Sequence, residues 1–281
     1  EFQKYPMPFA TYKKGFDLVQ THLRRGDSFL TNLTYPTPIT TNLTFRQILE
    51  HSTAKYKLLF KEQFVAFSPE TFIKMKAGRI ASFPMKGTID ADLPNARQLL
   101  LGDKKERAEH NTIIDLIRND LSQVATQVRV ERFRFLQKIK SLNGQLLQMS
   151  SKISGKLPHD YRQNIGTMLS KLLPAGSISG APKPKTVEII KAAEGYERGF
   201  YTGIFGYYAN GKLESGVLIR FIEHLNDEEL VYKSGGGITV FSEAKAEYEE
   251  MIKKVYVPID RKYQHKTWKT PAPELAHSTH P

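Results

Sequence analysis

The strand-like segments of this chain follow one another through tight turns, and this pattern constrains the fold most. Between residues 58 and 83, apolar β-prone runs are interrupted at Lys61-Glu62 and at Ala77-Gly78. Short apolar runs on either side of such turns are typical of β-hairpins. Because strands joined by short turns pair antiparallel, the region predicts two antiparallel hairpins.

A second region of this kind runs from residue 201 to residue 240. Its turn signals are Asn210-Gly211, which strongly favours a hairpin, and Asn226-Asp227. The pattern predicts one meander of neighbouring strands. Since strands and helices do not alternate as βαβ units, we expect an α+β fold with large antiparallel β-sheets flanked by helices.

Helices are predicted where apolar residues recur at intervals of three and four, notably over residues 8–25, 103–121 and 243–256. We expect residues 1–257 to form one folded domain. After Pro258 the sequence becomes polar with scattered Pro and His, so residues 258–281 are predicted to be a loosely ordered tail.

Composition narrows the classes of function. The 41 Lys and Arg residues exceed the 29 Asp and Glu residues, giving a net charge of +12, which suggests an anionic partner such as a polycarboxylate. No cationic stripe is interleaved with aromatic residues, so nucleic acid is not an expected partner. The absence of cysteine excludes disulfides and thiolate catalysis. No long apolar run is present, and we expect a cytoplasmic protein without a membrane partner.

A lysine stands in a turn directly after an apolar run, in the hexapeptide Phe83-Pro84-Met85-Lys86-Gly87-Thr88. Gly87 has no Cβ and lets a ligand approach the backbone, while Thr88 supplies a hydroxyl donor. The Lys86 amine could hold a carboxylate or, once desolvated, act as a nucleophile. Taken alone, such a stretch is more often only a turn.

Two Glu-x-x-Glu pairs lie on predicted helices, Glu106 with Glu109 and Glu247 with Glu250. A spacing of three places each pair on one helix face. Four converging carboxylates repel one another unless a cation joins them, and oxygen ligands without a His or Cys cluster favour Mg²⁺. Each pair alone is more typical of a solvated acidic face that pairs with neighbouring lysines.

Other candidates also have simple structural explanations. Lys254 follows Glu250 by four residues, as in an ordinary helical salt bridge. The run Gly235-Gly236-Gly237 either exposes its amides to a ligand or marks a bulge. Arg220 suits a bidentate grip on a carboxylate, or lies in solvent on an edge strand. Ser68-Pro69-Glu70 has the residue types of a helix start.

In their order and separations these motifs resemble the chorismate-utilising enzymes. That family includes component I of anthranilate synthase and of aminodeoxychorismate synthase, and the isochorismate and salicylate synthases. The resemblance extends from about Gly26 to Val257. It also includes the segments 105–110, 174–183 (Pro-Ala-Gly-Ser-Ile-Ser-Gly-Ala-Pro-Lys), 201–203, 219–220 and 247–254.

The resemblance implies a fold like that of anthranilate synthase component I, and roles for the candidate residues. Glu109 and Glu250 would be direct Mg²⁺ ligands, with Glu106 and Glu247 nearby or acting through water, and Mg²⁺ would hold the ring carboxylate of chorismate. Glu70 would be the general acid that protonates the departing C4 hydroxyl. The implied substrate contacts are Gly87, Thr88, Gln148, Tyr201, Arg220, Gly235, Gly236, Gly237 and Lys254.

Lys86 separates the subfamilies. Anthranilate synthases typically have a small residue there, whereas aminodeoxychorismate synthases have a lysine, so the resemblance implies the 4-aminobenzoate branch of folate synthesis. The implied mechanism is covalent, with Lys86 adding at C2 before ammonia adds at C4. We expect desolvation to lower the pKa of Lys86 from its ordinary value of about 10.4. Ammonia would come from a separate glutamine amidotransferase subunit, since no cysteine is present to hydrolyse glutamine.

Two positions depart from the commonest family pattern. Leu30 stands where a glutamine is usual, and Gln148 replaces a histidine that helps to position the ring. Gln148 can still form hydrogen bonds but cannot become a cation. These departures favour an alternative of another class, a non-catalytic chorismate-binding paralogue. Anthranilate synthase component I is the nearest alternative enzyme, and Lys86 argues against it.

Overall fold

A computed structural model describes residues 1–141, 144–226 and 229–259 of the chain. Within these residues the strands are β1 (Phe2–Lys4), β2 (Leu30–Thr41), β3 (Tyr56–Phe60), β4 (Phe64–Ser68), β5 (Thr71–Lys76), β6 (Arg79–Ser82), β7 (Met85–Asp90), β8 (Thr126–Ser141), β9 (Gly144–Lys156), β10 (Gly180–Ala181), β11 (Ile204–Ala209), β12 (Lys212–Val217), β13 (Phe221–His224) and β14 (Leu230–Ile238). The helices are α1 (Phe9–Arg25), α2 (Phe45–His51), α3 (Ala96–Gly102), α4 (Lys104–Ser122), α5 (Ile165–Leu172), α6 (Lys183–Glu194) and α7 (Ala244–Lys253).

The strands form two sheets. The first has the order β1-β2-β14-β13-β4-β3, with β10 also pairing with β2. The second has the order β11-β12-β5-β6-β9-β7, with β8 also pairing with β9. All of these pairs are antiparallel, which confirms the predicted α+β class.

Each sheet has its own helices and its own apolar core. Helices α1, α6 and α7 pack on the first sheet through a cluster that contains Tyr12, Ile189 and Met251. Helices α4 and α5 pack on the second sheet through a cluster that contains Leu121 and Met168. Helices α4 and α7, which carry the two predicted glutamate pairs, therefore belong to different cores.

The predicted hairpin turns are confirmed where the structure describes them. Lys61-Glu62, Ala77-Gly78 and Asn210-Gly211 each have positive φ at both residues, as two-residue hairpin turns require. Asp227 of the other predicted turn lies outside the described residues. So does the predicted tail, apart from Pro258, whose carbonyl accepts a hydrogen bond from Thr53 N–H, and Ile259. Among the described helices, none is long and apolar enough to span a membrane.

The chain crosses between the two sheets at two short links. Strand β4 belongs to the first sheet and β5 to the second, and only Pro69 and Glu70 connect them. Residues 218–220 make the reverse crossing from β12 to β13. Each link is hydrogen-bonded to the strand that precedes the other link. Val217 N–H of β12 donates to the Glu70 carbonyl at 3.2 Å, and Phe67 N–H of β4 donates to the Arg220 carbonyl at 3.0 Å.

These crossings correct two predictions. The region from 201 to 240 is not one meander, because β11 and β12 pair in the second sheet while β13 and β14 pair in the first. Ser68-Pro69-Glu70 is not a helix start. The Ser68 hydroxyl accepts from the Glu70 N–H at 3.2 Å, as a cap would, but strand pairing on both sides overrides this local signal.

Candidate active site

Glu70 and Arg220 lie on the paired crossings between the sheets. Arg220 is not part of a strand. Its φ of 52° turns the chain away from the ladder, and its guanidinium lies 5.7 Å from the centre of the Tyr256 ring. Its Nε is buried and has no hydrogen-bond partner among the described residues. The side chain therefore points inward, with donor capacity left for an anion.

The Glu70 side chain is held by a residue far away in sequence. The Ser177 hydroxyl donates to Glu70 Oε1 at 2.5 Å. Burial raises the pKa of Glu70, although the Ser177 hydrogen bond and the charges of Arg220 and Lys254 oppose this effect. A raised pKa is what a carboxyl group needs in order to carry a proton as a general acid.

A β-bulge directs Lys86. The register between β7 and β9 shifts by one residue between Met85 and Thr88, and Gly87 has a φ of 79°. A bulge of this kind reorients a side chain relative to a regular strand. The Lys86 Nζ consequently lies 2.6 Å from Oε2 of Glu109 on α4.

The pKa of Lys86 differs from the expectation. Burial alone would lower the pKa of this amine, but the charges of Glu109, Glu106 and Glu250 and the hydrogen bond to Glu109 outweigh burial. The net effect raises the pKa above its ordinary value, so the predicted lowering is wrong for this arrangement. Lys86 is held here as an ammonium group among carboxylates.

Helix α7 brings the second glutamate pair to the same place. A Cβ added to Gly236 would lie 3.4 Å from Glu247 Oε2, 3.6 Å from Lys254 Nζ and 3.8 Å from Glu250 Oε1. Lys254 Nζ lies 2.6 Å from Glu250 Oε1, which confirms the predicted i,i+4 salt bridge. Lys254 also donates to the Gly235 carbonyl at 2.8 Å.

The glycine run is a regular part of β14, and the bulge considered as an alternative explanation for it is absent, because the register with β2 is continuous from Leu230 to Ile238. Thr34 and Asn32, which lie opposite Gly235 and Gly237, donate their N–H groups to a side chain of α6 and to the Ser179 carbonyl instead. In antiparallel ladders, such pairs exchange no hydrogen bonds with each other. The N–H groups of Gly235 and Gly237 are therefore directed away from β2, where β13 no longer pairs.

The four glutamates fit Mg²⁺ in the kind of donor they offer. Glu106 Oε2 is buried and has no hydrogen-bond partner among the described residues, which is costly for a carboxylate unless a cation or donor joins it. Within the described part of the chain, however, no three acidic or histidine side chains are close enough to share a metal ion. Glu109 and Glu250 are instead paired with Lys86 and Lys254.

Two of the predicted substrate contacts, Thr88 and Gln148, lie outside the group of charged side chains around Lys86. Thr88 is exposed and pairs with Gln148 of β9, which is half-buried. In the residues that the structure describes, neither side chain forms a hydrogen bond to the charged groups around Lys86. Tyr201, by contrast, is buried against Phe221 with their ring centres 5.7 Å apart. Burial raises the pKa of its hydroxyl, and the charges of Arg198 and, more weakly, Arg220 oppose this effect.

Two residues beside the site were not identified from the sequence. Ser177 lies in the segment 174–183 that carried part of the resemblance, but no role was assigned to it. His110 directly follows Glu109, is fully buried and has its Nε2 2.7 Å from the Ser151 hydroxyl. Burial, helped by the charges of Arg134 and Lys86, lowers the pKa of His110 to about 4, so this imidazole is neutral at neutral pH.

Comparison with known proteins identifies the family of this chain. Residues 2–260 match the family described as chorismate binding enzyme. The chain belongs to this family. It is 54% identical to an uncharacterized PabA-like protein of Pasteurella multocida, covering 92% of this chain and 80% of that protein. It is also 31% identical to aminodeoxychorismate synthase component 1 of Klebsiella aerogenes, covering 87% of this chain and 56% of the relative.

The fold matches that of a solved family member. Anthranilate synthase component I from Streptococcus pneumoniae superimposes with a TM-score of 0.74 and 25% sequence identity, covering 91% of this chain and 58% of that one. This likeness confirms the predicted type of fold. The chain spans a little more than half the length of these two synthase components.

The first prediction concerns the Gly87 bulge. In Gly87→Ala, a Cβ would meet Leu100 Cδ1 at 3.0 Å and Glu106 Oε2 at 3.1 Å, so the side chains of Leu100 and Glu106 must shift by a few tenths of an ångström and the left-handed backbone at residue 87 is strained. We expect chorismate to bind about 10- to 100-fold more weakly by calorimetry, with stability lowered by about 1–2 kcal/mol because φ is positive.

Gly78→Ala is the matched control. Gly78 also has a positive φ, of 72°, but a Cβ there would meet nothing within 4 Å. It should lose similar stability and keep its affinity for chorismate. Equal affinity in both variants would contradict the role of the bulge in shaping the site.

Proposed function

We propose that this protein is component I of an aminodeoxychorismate synthase, which aminates chorismate at C4 with ammonia for 4-aminobenzoate synthesis. The observation that carries the proposal is the placement of Lys86. The bulge at Gly87 directs this amine into a group of carboxylates contributed by two helices. A protein that only binds chorismate needs neither a nucleophile nor an acid at these positions.

Chorismate has two carboxylates, and the site offers two places for anions. The first combines the unsatisfied Nε of Arg220 with the N–H groups of Gly235 and Gly237 and the nearby Tyr201. The second combines Lys254 with the carboxylates that would bind the metal. Holding both carboxylates fixes the ring between them, with Glu70 and Lys86 as the reacting groups.

The proposed reaction consists of two displacements. The ammonium group of Lys86 first loses a proton to solvent. The neutral amine then forms a bond to C2 of chorismate, both ring double bonds shift, and the C4–O bond breaks as Glu70 protonates the departing hydroxyl, which leaves as water. Ammonia then forms a bond to C4, both ring double bonds shift back, and the C2–Nζ bond breaks. The proton lost by the attacking ammonia is taken up by the Glu70 carboxylate, and the pyruvyl ether stays intact.

Glu109 and Glu250 would hold Mg²⁺ directly, with Glu106 and Glu247 nearby. Bound there, Mg²⁺ supplies a positive charge for the ring carboxylate and offsets the negative charges that keep Lys86 protonated. A separate glutamine amidotransferase subunit would supply ammonia, since the chain has no cysteine nucleophile.

The covalent step predicts an adduct on Lys86. Wild-type protein incubated with chorismate and Mg²⁺, without ammonia, should gain the mass of chorismate less one water by intact-protein mass spectrometry. Peptide mapping should place this mass on Lys86. The adduct should be absent from Lys86→Ala and from Lys86→Arg, which keeps the positive charge beside Glu109 but is not a nucleophile.

Lys86→Arg tests whether the reaction needs a nucleophilic amine at residue 86 or only a positive charge there. If Lys86→Arg turns over chorismate with ammonia at the wild-type rate, the lysine is not the nucleophile. Turnover to anthranilate would instead support the alternative enzyme, and binding without turnover by wild-type protein would support a non-catalytic paralogue.

The metal site predicts a thermal shift that does not depend on activity. Because a ligand bound only to the folded state raises its stability, the Tm of wild-type protein should rise with Mg²⁺ concentration, by roughly 2–4 °C for each kcal/mol gained. The double variant Glu109→Gln/Glu250→Gln should lose this rise. Glu131→Gln, which removes a carboxylate paired with Arg79 and Lys152 outside the site, should keep it. An undiminished shift in the double variant would place Mg²⁺ elsewhere.

A further inference from the structure

The Glu70 backbone is fixed, but its side chain depends on one contact. The Glu70 N–H donates to the Ser68 hydroxyl, and its carbonyl accepts from Val217 N–H. Among the described residues, the one hydrogen-bond partner of its carboxyl group is Ser177. The direction of the carboxyl group at the crossing is therefore set by this hydroxyl.

Ser177 is itself on a rigid support. It is the middle residue of a 3₁₀ turn, Gly176–Ile178, and the Ser179 hydroxyl closes the same turn by donating to the Ala175 carbonyl at 2.8 Å. The turn packs closely on α4, because a Cβ at Gly176 would lie 2.8 Å from Leu116 Cγ. Helix α4, which carries Glu106 and Glu109, thus also positions the partner of Glu70.

The surroundings of Glu70 offer few substitutes for Ser177. A small cavity beside the two side chains has walls formed largely by Phe72, Pro84 and Ile117. The Ser82 hydroxyl, also in the wall, donates to the Phe72 carbonyl at 3.1 Å. The cavity has room for about one water molecule, so water is the alternative partner if the Ser177 hydroxyl is removed.

We propose that Ser177 is a positioning residue that holds Oε1 of Glu70 so that Oε2 carries the proton delivered to the departing hydroxyl. This inference rests on the proposed function, in which Glu70 is the general acid. With Oε1 engaged by a donor, the proton of the neutral carboxyl group is confined to Oε2. A carboxyl group fixed in this way does not have to reorient before the proton moves.

The contact also has an electrostatic consequence. The charged groups that face Glu70 are Arg220 on the opposite crossing and Lys254 directly after α7, and both favour the ionised carboxylate. The Ser177 hydrogen bond acts in the same direction and opposes burial. Removing the hydroxyl while leaving both cations in place should therefore raise the pKa of Glu70.

The test compares Ser177→Thr with Ser177→Val, which have the same shape and differ in the hydroxyl. We measure kcat/KM for chorismate with ammonia and Mg²⁺ as a function of pH, together with folding by circular dichroism.

The kcat/KM of the threonine variant should stay within about threefold of wild type. The valine variant should lose about 10- to 100-fold, and its alkaline limb should move to higher pH, since Glu70 would keep its proton longer. Ser177→Ala, which admits water, should lie between them.

Ser179→Ala controls for damage to the turn. It removes a hydrogen bond of the same turn that does not reach Glu70, so any loss of rate should leave the alkaline limb in place. Equal profiles for the threonine and valine variants would overturn the role of Ser177. So would a rate loss in the valine and alanine variants without movement of the limb. Absence of turnover in wild-type protein would contradict the proposed function itself.

Discussion

Two backbone hydrogen bonds between the paired crossings hold the sheets in the arrangement on which the site depends. Val217 N–H donates to the Glu70 carbonyl, and Phe67 N–H donates to the Arg220 carbonyl. The first bond joins β12 to the crossing that follows β4, and the second joins β4 to the crossing that follows β12. As a result, an acid and a cation from residues 150 positions apart in sequence are adjacent at the junction of two separate cores. Neither sheet alone could place both groups there.

Positively and negatively charged side chains lie beside one another around this junction. Lys86 interacts with Glu109, Glu106 and Glu250, and Lys254 interacts with Glu250. Lys86 and Lys254 thus each have an opposite charge beside them, Glu109 and Glu250, which offsets much of the cost of removing these four groups from water. The same pairing holds Lys86 in its unreactive form. A dianionic substrate and a divalent cation would change these charges together, so the pairing accounts for both the stability of the site and its dependence on its ligands.

The sequence predicted those features that depend on nearby residues. The turn at Asn210-Gly211 follows from adjacent residues that tolerate positive φ, the turn at Lys61-Glu62 follows from two polar residues between apolar runs, and the glutamate pairs follow from helical spacing. It did not predict that residues 201–240 are divided between two sheets, because this division depends on the pairing of β12 with β5 and of β13 with β4, strands that lie more than 130 residues earlier in the chain. The predicted direction for the pKa of Lys86 was wrong, because burial lowers this pKa but the charge of Glu109 raises it by more. The contact between Lys86 and Glu109 depends on the bulge. The contact between Ser177 and Glu70 likewise exists only after both sheets have formed.

The position at which nitrogen enters the ring distinguishes the proposed enzyme from its alternatives. Wild-type protein is incubated with chorismate, Mg²⁺ and ¹⁵N-labelled ammonium, and the product is identified by NMR and mass spectrometry. We expect 4-amino-4-deoxychorismate, with ¹⁵N on C4 and the pyruvyl ether intact. Nitrogen on C2, release of pyruvate to give anthranilate, or recovery of unlabelled chorismate alone would contradict this expectation.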